Sequence, residues 1–114
     1  LWTNGGPGCS GLQGLLMEMG PLRVSSDGSL VRNRHAWTAF ANMIFLEQPA
    51  GTGFSYIDEA EASVEWTDEL VATDMLAFIR GFLSHFPEVD DNPLYLASES
   101  YGGHYIPTLA RAML

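Results

Sequence analysis

The stretch that decides the reading is Leu94-Tyr-Leu-Ala-Ser-Glu-Ser-Tyr-Gly-Gly103. Leu94 to Ala97 is a short apolar run of strand character, and Ser98 to Gly103 is a sharp turn. Ile106, Leu109, Ala110 and Met113 then recur at helical spacing. A strand that breaks abruptly into a helix lifts the serine at the corner off the end of a sheet. The turn is tight enough only if small residues stand two before and two after that serine. Ser98 and Gly102 are those small residues, and Ser100 is the candidate nucleophile. Taken alone, the same residues also fit a plain glycine turn.

A second stretch bears on the choice. Leu1-Trp-Thr reads as a strand, and Asn4-Gly-Gly-Pro-Gly8 follows it as a loop. A nucleophilic serine at such a corner needs backbone donors for the oxyanion, one from the residue after it and one from a loop after an earlier strand. Tyr101 and Gly6 stand in those places. A phosphate-binding glycine loop is the competing reading, but no Lys-Ser/Thr pair follows and Pro7 removes one donor.

Between these stretches the chain alternates. Leu12, Leu15, Leu16 and Met19 form one helical stripe that Gly20-Pro21 ends. Gly11, Gly14 and Glu18 form the neighbouring stripe, where the small residues let another backbone come close. Ser25-Ser-Asp-Gly28 predicts a hairpin turn. Met43 to Leu46 predicts a buried strand ending at Pro49. Asp58 to Glu69 carries six carboxylates and reads as a solvated loop and helix start, with Thr67 as N-cap and Asp68 and Glu69 in the first turn. Val71, Met75, Phe78, Ile79 and Phe82 continue that helix until Pro87. The order strand, helix, strand, helix, strand, helix predicts an α/β fold with parallel strands flanked by helices.

Composition narrows the function classes. Five basic against fourteen acidic residues give a net charge of −9, which repels a phosphate backbone and argues against nucleic-acid binding. A single cysteine excludes an internal disulfide framework and a multi-cysteine metal site, and no cofactor motif is present. At 114 residues the chain is at most one small domain. It opens within a strand, without a start methionine or leader, and stops within a helical pattern. The expectation is one partial domain over residues 1–114, truncated at both ends.

Trp2-Thr-Asn-Gly-Gly-Pro-Gly-Cys-Ser10, Phe45-Leu-Glu-Gln-Pro-Ala-Gly-Thr-Gly-Phe-Ser-Tyr56 and Glu99-Ser-Tyr-Gly-Gly-His-Tyr-Ile-Pro107 resemble, in order and spacing, the three signature segments of the serine carboxypeptidase family. The resemblance covers essentially the whole chain and is strongest toward the family's fungal pro-hormone-processing and vacuolar members. It implies the α/β-hydrolase fold and a serine-type hydrolase acting on peptide C-termini through an acyl-enzyme. It also implies a place in the secretory pathway, in a vacuole, lysosome or Golgi compartment or outside the cell. Residue by residue, it makes Ser100 the nucleophile and the amides of Gly6 and Tyr101 the oxyanion hole. Trp2, Asn4, Glu18 and Glu99 become the site for the substrate's terminal carboxylate. Two glutamates brought together there would share a proton, which fits binding an anion; read from the residues alone, Glu18 is also an ordinary exposed helix glutamate. The family usually has glycine where Ser98 stands, alanine where Gly102 stands and often valine where Ala50 stands, all small-for-small changes.

The triad is incomplete in this stretch. In α/β-hydrolases an acid and then a histidine follow the serine, whereas after Ser100 no Asp or Glu occurs and His104 is the one histidine. His104 lies one helical turn past the serine, as a packing or rim residue. His35 falls in a loop and His85 at a helix end. The base and acid are therefore expected outside these residues, and the stretch by itself is expected to be inactive. Cys9 reads either as a small buried hydrophobe or, by the resemblance, as one half of a disulfide whose partner lies outside the chain. Two other readings stand beside the peptidase: an acyltransferase of the same family, in which aspartate tends to precede the nucleophile where Glu99 stands here, and a non-catalytic binding relative.

Overall fold

The computed structural model describes residues 1–58 and 63–114. Glu59 and Glu61 of the acidic stretch lie outside the described residues.

Three stretches of extended chain run side by side. β1 (Trp2–Thr3) pairs in parallel with β4 (Ala97–Ser98), in the register Trp2↔Ala97 and Thr3↔Ser98. On its other side β1 meets the apolar run at 43–46. Trp2 N donates to Ile44 O at 2.8 Å, Leu46 N donates to Trp2 O at 2.9 Å, and Trp2 bridges to Phe45. The central position of β1 explains why Trp2 and Thr3 are buried. The run at 43–46 is half-buried where a buried strand was expected, and among the described residues its one strand pairing is this bridge. The last strand is assigned as Ala97–Ser98, and its pairing with the first stretch continues through Leu1, whose O accepts from Ala97 N at 3.0 Å and whose N donates to Tyr95 O at 2.7 Å.

β2 (Leu22–Val24) and β3 (Leu30–Arg32) form the expected hairpin, closed by Gly28 N on Ser25 O at 2.9 Å, with Gly28 at φ 83°. The hairpin is tied to the first helix by Asn33, which donates to Glu18 O at 3.0 Å and Gly20 O at 2.9 Å.

The first helix is not uniform. α1 (Gly11–Gln13) starts at the N-cap Ser10, whose hydroxyl accepts from Leu12 N, and widens into a π-turn over Gly14–Glu18. The Gly14 amide is shared between Gly11 O and the side chain of Asn4, which fits a local loosening of the helical ladder. Gly11 of the small stripe admits another backbone as expected, whereas Gly14 admits side chains. A Cβ on Gly11 would strike the Leu46 backbone, and one on Gly14 would strike the Trp2 indole.

α2 (Asp68–His85) has Thr67 as N-cap, accepting from Leu70 N at 3.2 Å, with Asp68 and Glu69 in its first turn. It buries Val71, Ala72, Met75 and Ile79 against Tyr105 and Leu109 of α3 (Gly102–Met113) and against Leu1. On α3 the expected stripe is off in register. Gly102, Tyr105 and Leu109 are buried, Ile106 is half-buried, and Ala110 and Met113 are exposed. The corner at Ser100 fixes where α3 starts, and hence which of its faces meets α2. No described helix is long and apolar enough to cross a membrane.

Candidate active site

The corner between β4 and α3 carries Ser100 at φ 53°, the one non-glycine residue in the left-handed region among the described residues. Such a conformation costs about 1–3 kcal/mol and persists only where neighbours hold it. Here Gly102 N donates to Glu99 O at 2.7 Å and Gly103 N to Ser100 O at 3.0 Å. At the base of the turn the Ser98 hydroxyl donates to Thr3 O at 2.6 Å, tying the corner to β1. Ser100 itself is exposed.

The glycine loop after β1 lies against this corner. A Cβ on Gly5 would come within 2.6 Å of both Glu99 O and Tyr101 N, so only glycine lets the two backbones approach so closely. Gly6 follows at φ 112° and is exposed, joined to Pro7 by a cis peptide. The structure thus brings the glycine loop against the turn of Ser100 and Tyr101 at Gly5. Gly5 was not among the residues singled out from the sequence. Its place inside the glycine cluster was the available signal.

Asn4 organises the second half of the site. It is fully buried. Its Oδ1 accepts from Trp2 Nε1 at 2.9 Å and from Gly14 N at 3.1 Å, while its Nδ2 donates to Glu99 Oε1 at 2.9 Å. Two N–H donors on one side and a carboxylate on the other fix which way the amide points. Among the described residues, Nδ2 uses one of its hydrogens on Glu99. Trp2, Asn4 and Glu99 are therefore one connected set, seated next to Ser100. Glu18 is half-buried at the end of the π-turn, and among the described residues no hydrogen bond joins its carboxylate to Asn4 or Glu99.

The remaining candidates are placed as follows. Cys9 is exposed and unpaired, which corrects its reading as a small buried hydrophobe. His104 is on the rim, where its Nδ1 lies 3.3 Å from Asp68 Oδ2 and its ring stacks on Tyr101 at 4.5 Å. Asp68 also accepts from the Tyr101 hydroxyl at 3.1 Å, a hydrogen bond that raises the Tyr101 phenol above its ordinary pKa. The sequence offered no signal for this contact, since Asp68 reads locally as a helix start. His35 sits in a loop, and His85 at the end of α2 is 2.9 Å from Gly81 O. Among the described residues no group of three His, Cys, Asp or Glu side chains could hold a metal ion.

Comparison with known proteins gives consistent matches. The family model described as serine carboxypeptidase matches residues 1–114. Serine carboxypeptidase-like 40 of Arabidopsis thaliana is 51% identical over 116 residues, covering 100% of this chain and 23% of that protein. The pheromone-processing carboxypeptidase kex1 of Talaromyces marneffei is 47% identical over 114 residues, covering 100% of this chain and 18% of that protein. The crystal structure of Kex1(delta)p, a prohormone-processing carboxypeptidase from Saccharomyces cerevisiae, matches with a TM-score of 0.88 at 39% identity, over 98% of this chain and 24% of that one. The parallel strands and flanking helices are accordingly part of an α/β-hydrolase fold. The chain spans less than a quarter of the length of these relatives.

Proposed function

This chain belongs to the serine carboxypeptidase family, and from that premise we propose that it supplies the nucleophile, the oxyanion donors and the substrate-carboxylate site of an enzyme that removes C-terminal residues from peptides. Ser100 Oγ attacks the last peptide carbonyl, and its proton passes to a base. The amides of Gly6 and Tyr101 receive the developing oxyanion. Collapse of the tetrahedral species breaks the C–N bond, protonates the leaving amine and leaves an acyl-enzyme, which water then hydrolyses. The base and the acid that orients it come from parts of the enzyme beyond these 114 residues, so this stretch by itself turns over no substrate.

The observation that carries the reading is the hydrogen bond from Asn4 Nδ2 to Glu99, one residue before Ser100. It ties the buried Asn4 to the residue before the nucleophile, and the two N–H groups held on Oδ1 keep Asn4 from turning away. Trp2 positions Asn4, while Glu99 and Glu18 complete the grip on the terminal carboxylate. At either glutamate a carboxyl in its acid form can donate to the substrate carboxylate, whereas a carboxylate can only accept. Exposed Cys9 is free to pair with a cysteine elsewhere in the enzyme, which fits an oxidising compartment of the secretory pathway.

The test uses the complete protein. A fluorophosphonate probe should label Ser100, and Ser100→Ala should lose both labelling and several orders of magnitude of peptidase turnover. Undiminished labelling of the alanine variant would sink the assignment.

A further inference from the structure

We propose that Asp68 is a positioning residue for the oxyanion site, fastening the side chain of Tyr101, and with it the amide that follows the nucleophile, to the first turn of α2. The inference rests on the reading of Tyr101 as an oxyanion donor.

Tyr101 is held from several sides. Its hydroxyl donates to Asp68 Oδ1 at 3.1 Å. Its ring lies on the His104 imidazole with centroids 4.5 Å apart and an interplanar angle of 14°, and meets Tyr105 edge-on at 5.2 Å. The other oxygen of the same carboxylate, Oδ2, is 3.3 Å from His104 Nδ1. Asp68 therefore bridges both members of the stacked pair. The carboxylate is itself well placed: Thr67 caps the helix immediately before it, and the amides of the first turn favour a negative charge there. His104 is 62% exposed whereas Tyr101 is half-buried, so the Tyr101 contact is the less screened of the two. The neighbouring pair Glu69–Arg111 is exposed on both sides and adds little.

The backbone that this clamp steadies needs it. Ser100 is in the left-handed region, and the Tyr101 amide packs against Gly5 with no spare room. An oxyanion donor works only within a narrow range of distance and direction, so a small shift of Tyr101 is felt as lost transition-state stabilisation rather than lost substrate binding.

The experiment measures the rate at which a fluorophosphonate phosphonylates Ser100, together with kcat and KM on a peptide, in the complete protein. Asp68→Ala and Tyr101→Phe should each slow both phosphonylation and kcat by about 10-fold, less than the 10²–10³ of deleting a donor outright, with KM within about twofold. The double variant should be no slower than the worse single, because one contact is being removed twice. Asp68→Asn keeps an acceptor for the phenol and should recover part of the rate. If Asp68→Ala does not fold, Tyr101→Phe, which removes one hydroxyl, decides the matter. Parental rates in these variants, losses that multiply, or a change confined to KM would overturn the inference while leaving the nucleophile in place. Absence of Ser100-dependent labelling in the parent protein would overturn the catalytic reading and this inference together.

Discussion

Ser98 occupies the space into which a side chain at residue 102 would grow: a Cβ on Gly102 would overlap both Cβ and Oγ of Ser98. Residues 98 and 102 are thus sterically coupled, and a side chain at one leaves room only for glycine at the other. The serine gains a 2.6 Å hydrogen bond to Thr3 O that glycine cannot make.

The coupling predicts non-additive stabilities. Gly102→Ala should destabilise the complete protein by about 1–3 kcal/mol through overpacking. Ser98→Gly should cost about 1 kcal/mol for the lost hydrogen bond. The double variant should be more stable than the sum of the singles by denaturant unfolding; simple additivity would show that the two side chains do not compete for space.

Gly14 carries a second steric demand. A methyl group there would run into the Trp2 indole and come within 3.0 Å of Asn4 Oδ1. Gly14→Ala should therefore destabilise by about 1–3 kcal/mol and displace Asn4. The check is kcat/KM on a free-acid peptide beside that on its amide, with the free-acid substrate losing more.

At the hairpin turn, Asp27 accepts from the Ser25 hydroxyl and from the amide and hydroxyl of Ser29, and these bonds hold its carboxyl down at about 2, below the ordinary 3.8. A depressed carboxyl stabilises the fold above its unfolded pKa and loses that contribution as pH falls through the folded one. The turn should therefore hold at pH 4 and loosen between about pH 3.8 and 2. Carbon-detected NMR titration of Asp27 reads this directly; a midpoint at the ordinary value would mean that the turn's hydrogen bonds do not form in solution.

The helix cap is a local prediction. Thr67 accepts from Leu70 N at 3.2 Å, so Thr67→Ala should cost about 1 kcal/mol. Differential scanning calorimetry of the complete protein checks it, and an unchanged melting temperature would contradict it.

What the sequence made legible was whatever is written locally. The cap at Thr67, the hairpin turn at Ser25 to Gly28, the corner at Ser100 and the buried positions Val71, Met75 and Ile79 all follow from short-range spacing, and all are found. On α3 the expected stripe shares Leu109 with the buried face and differs elsewhere, because hydrophobic spacing gives a stripe but not its rotation, which is set by the corner and by packing on α2. The run at 43–46 is less buried than its apolar composition suggests, because sequence gives no count of a strand's neighbours. The contacts of Asn4 with Glu99 and of Asp68 with Tyr101 join residues far apart in the chain, and no local pattern encodes them. The family resemblance indicated the first pair, and only the fold revealed the second.

The central claim is that Asn4, Trp2, Glu18 and Glu99 read a free C-terminal carboxylate beside Ser100. The most direct measurement is kcat/KM for one peptide as its free acid and as its C-terminal amide, in the complete protein and in its Glu18→Gln/Glu99→Gln variant. The double replacement keeps hydrogen-bond donors but removes both carboxyl groups. The account predicts that the parent favours the free acid over the amide, and that the variant changes its free-acid activity strongly while its amide activity changes little. An unchanged free-acid to amide ratio in the variant would contradict it.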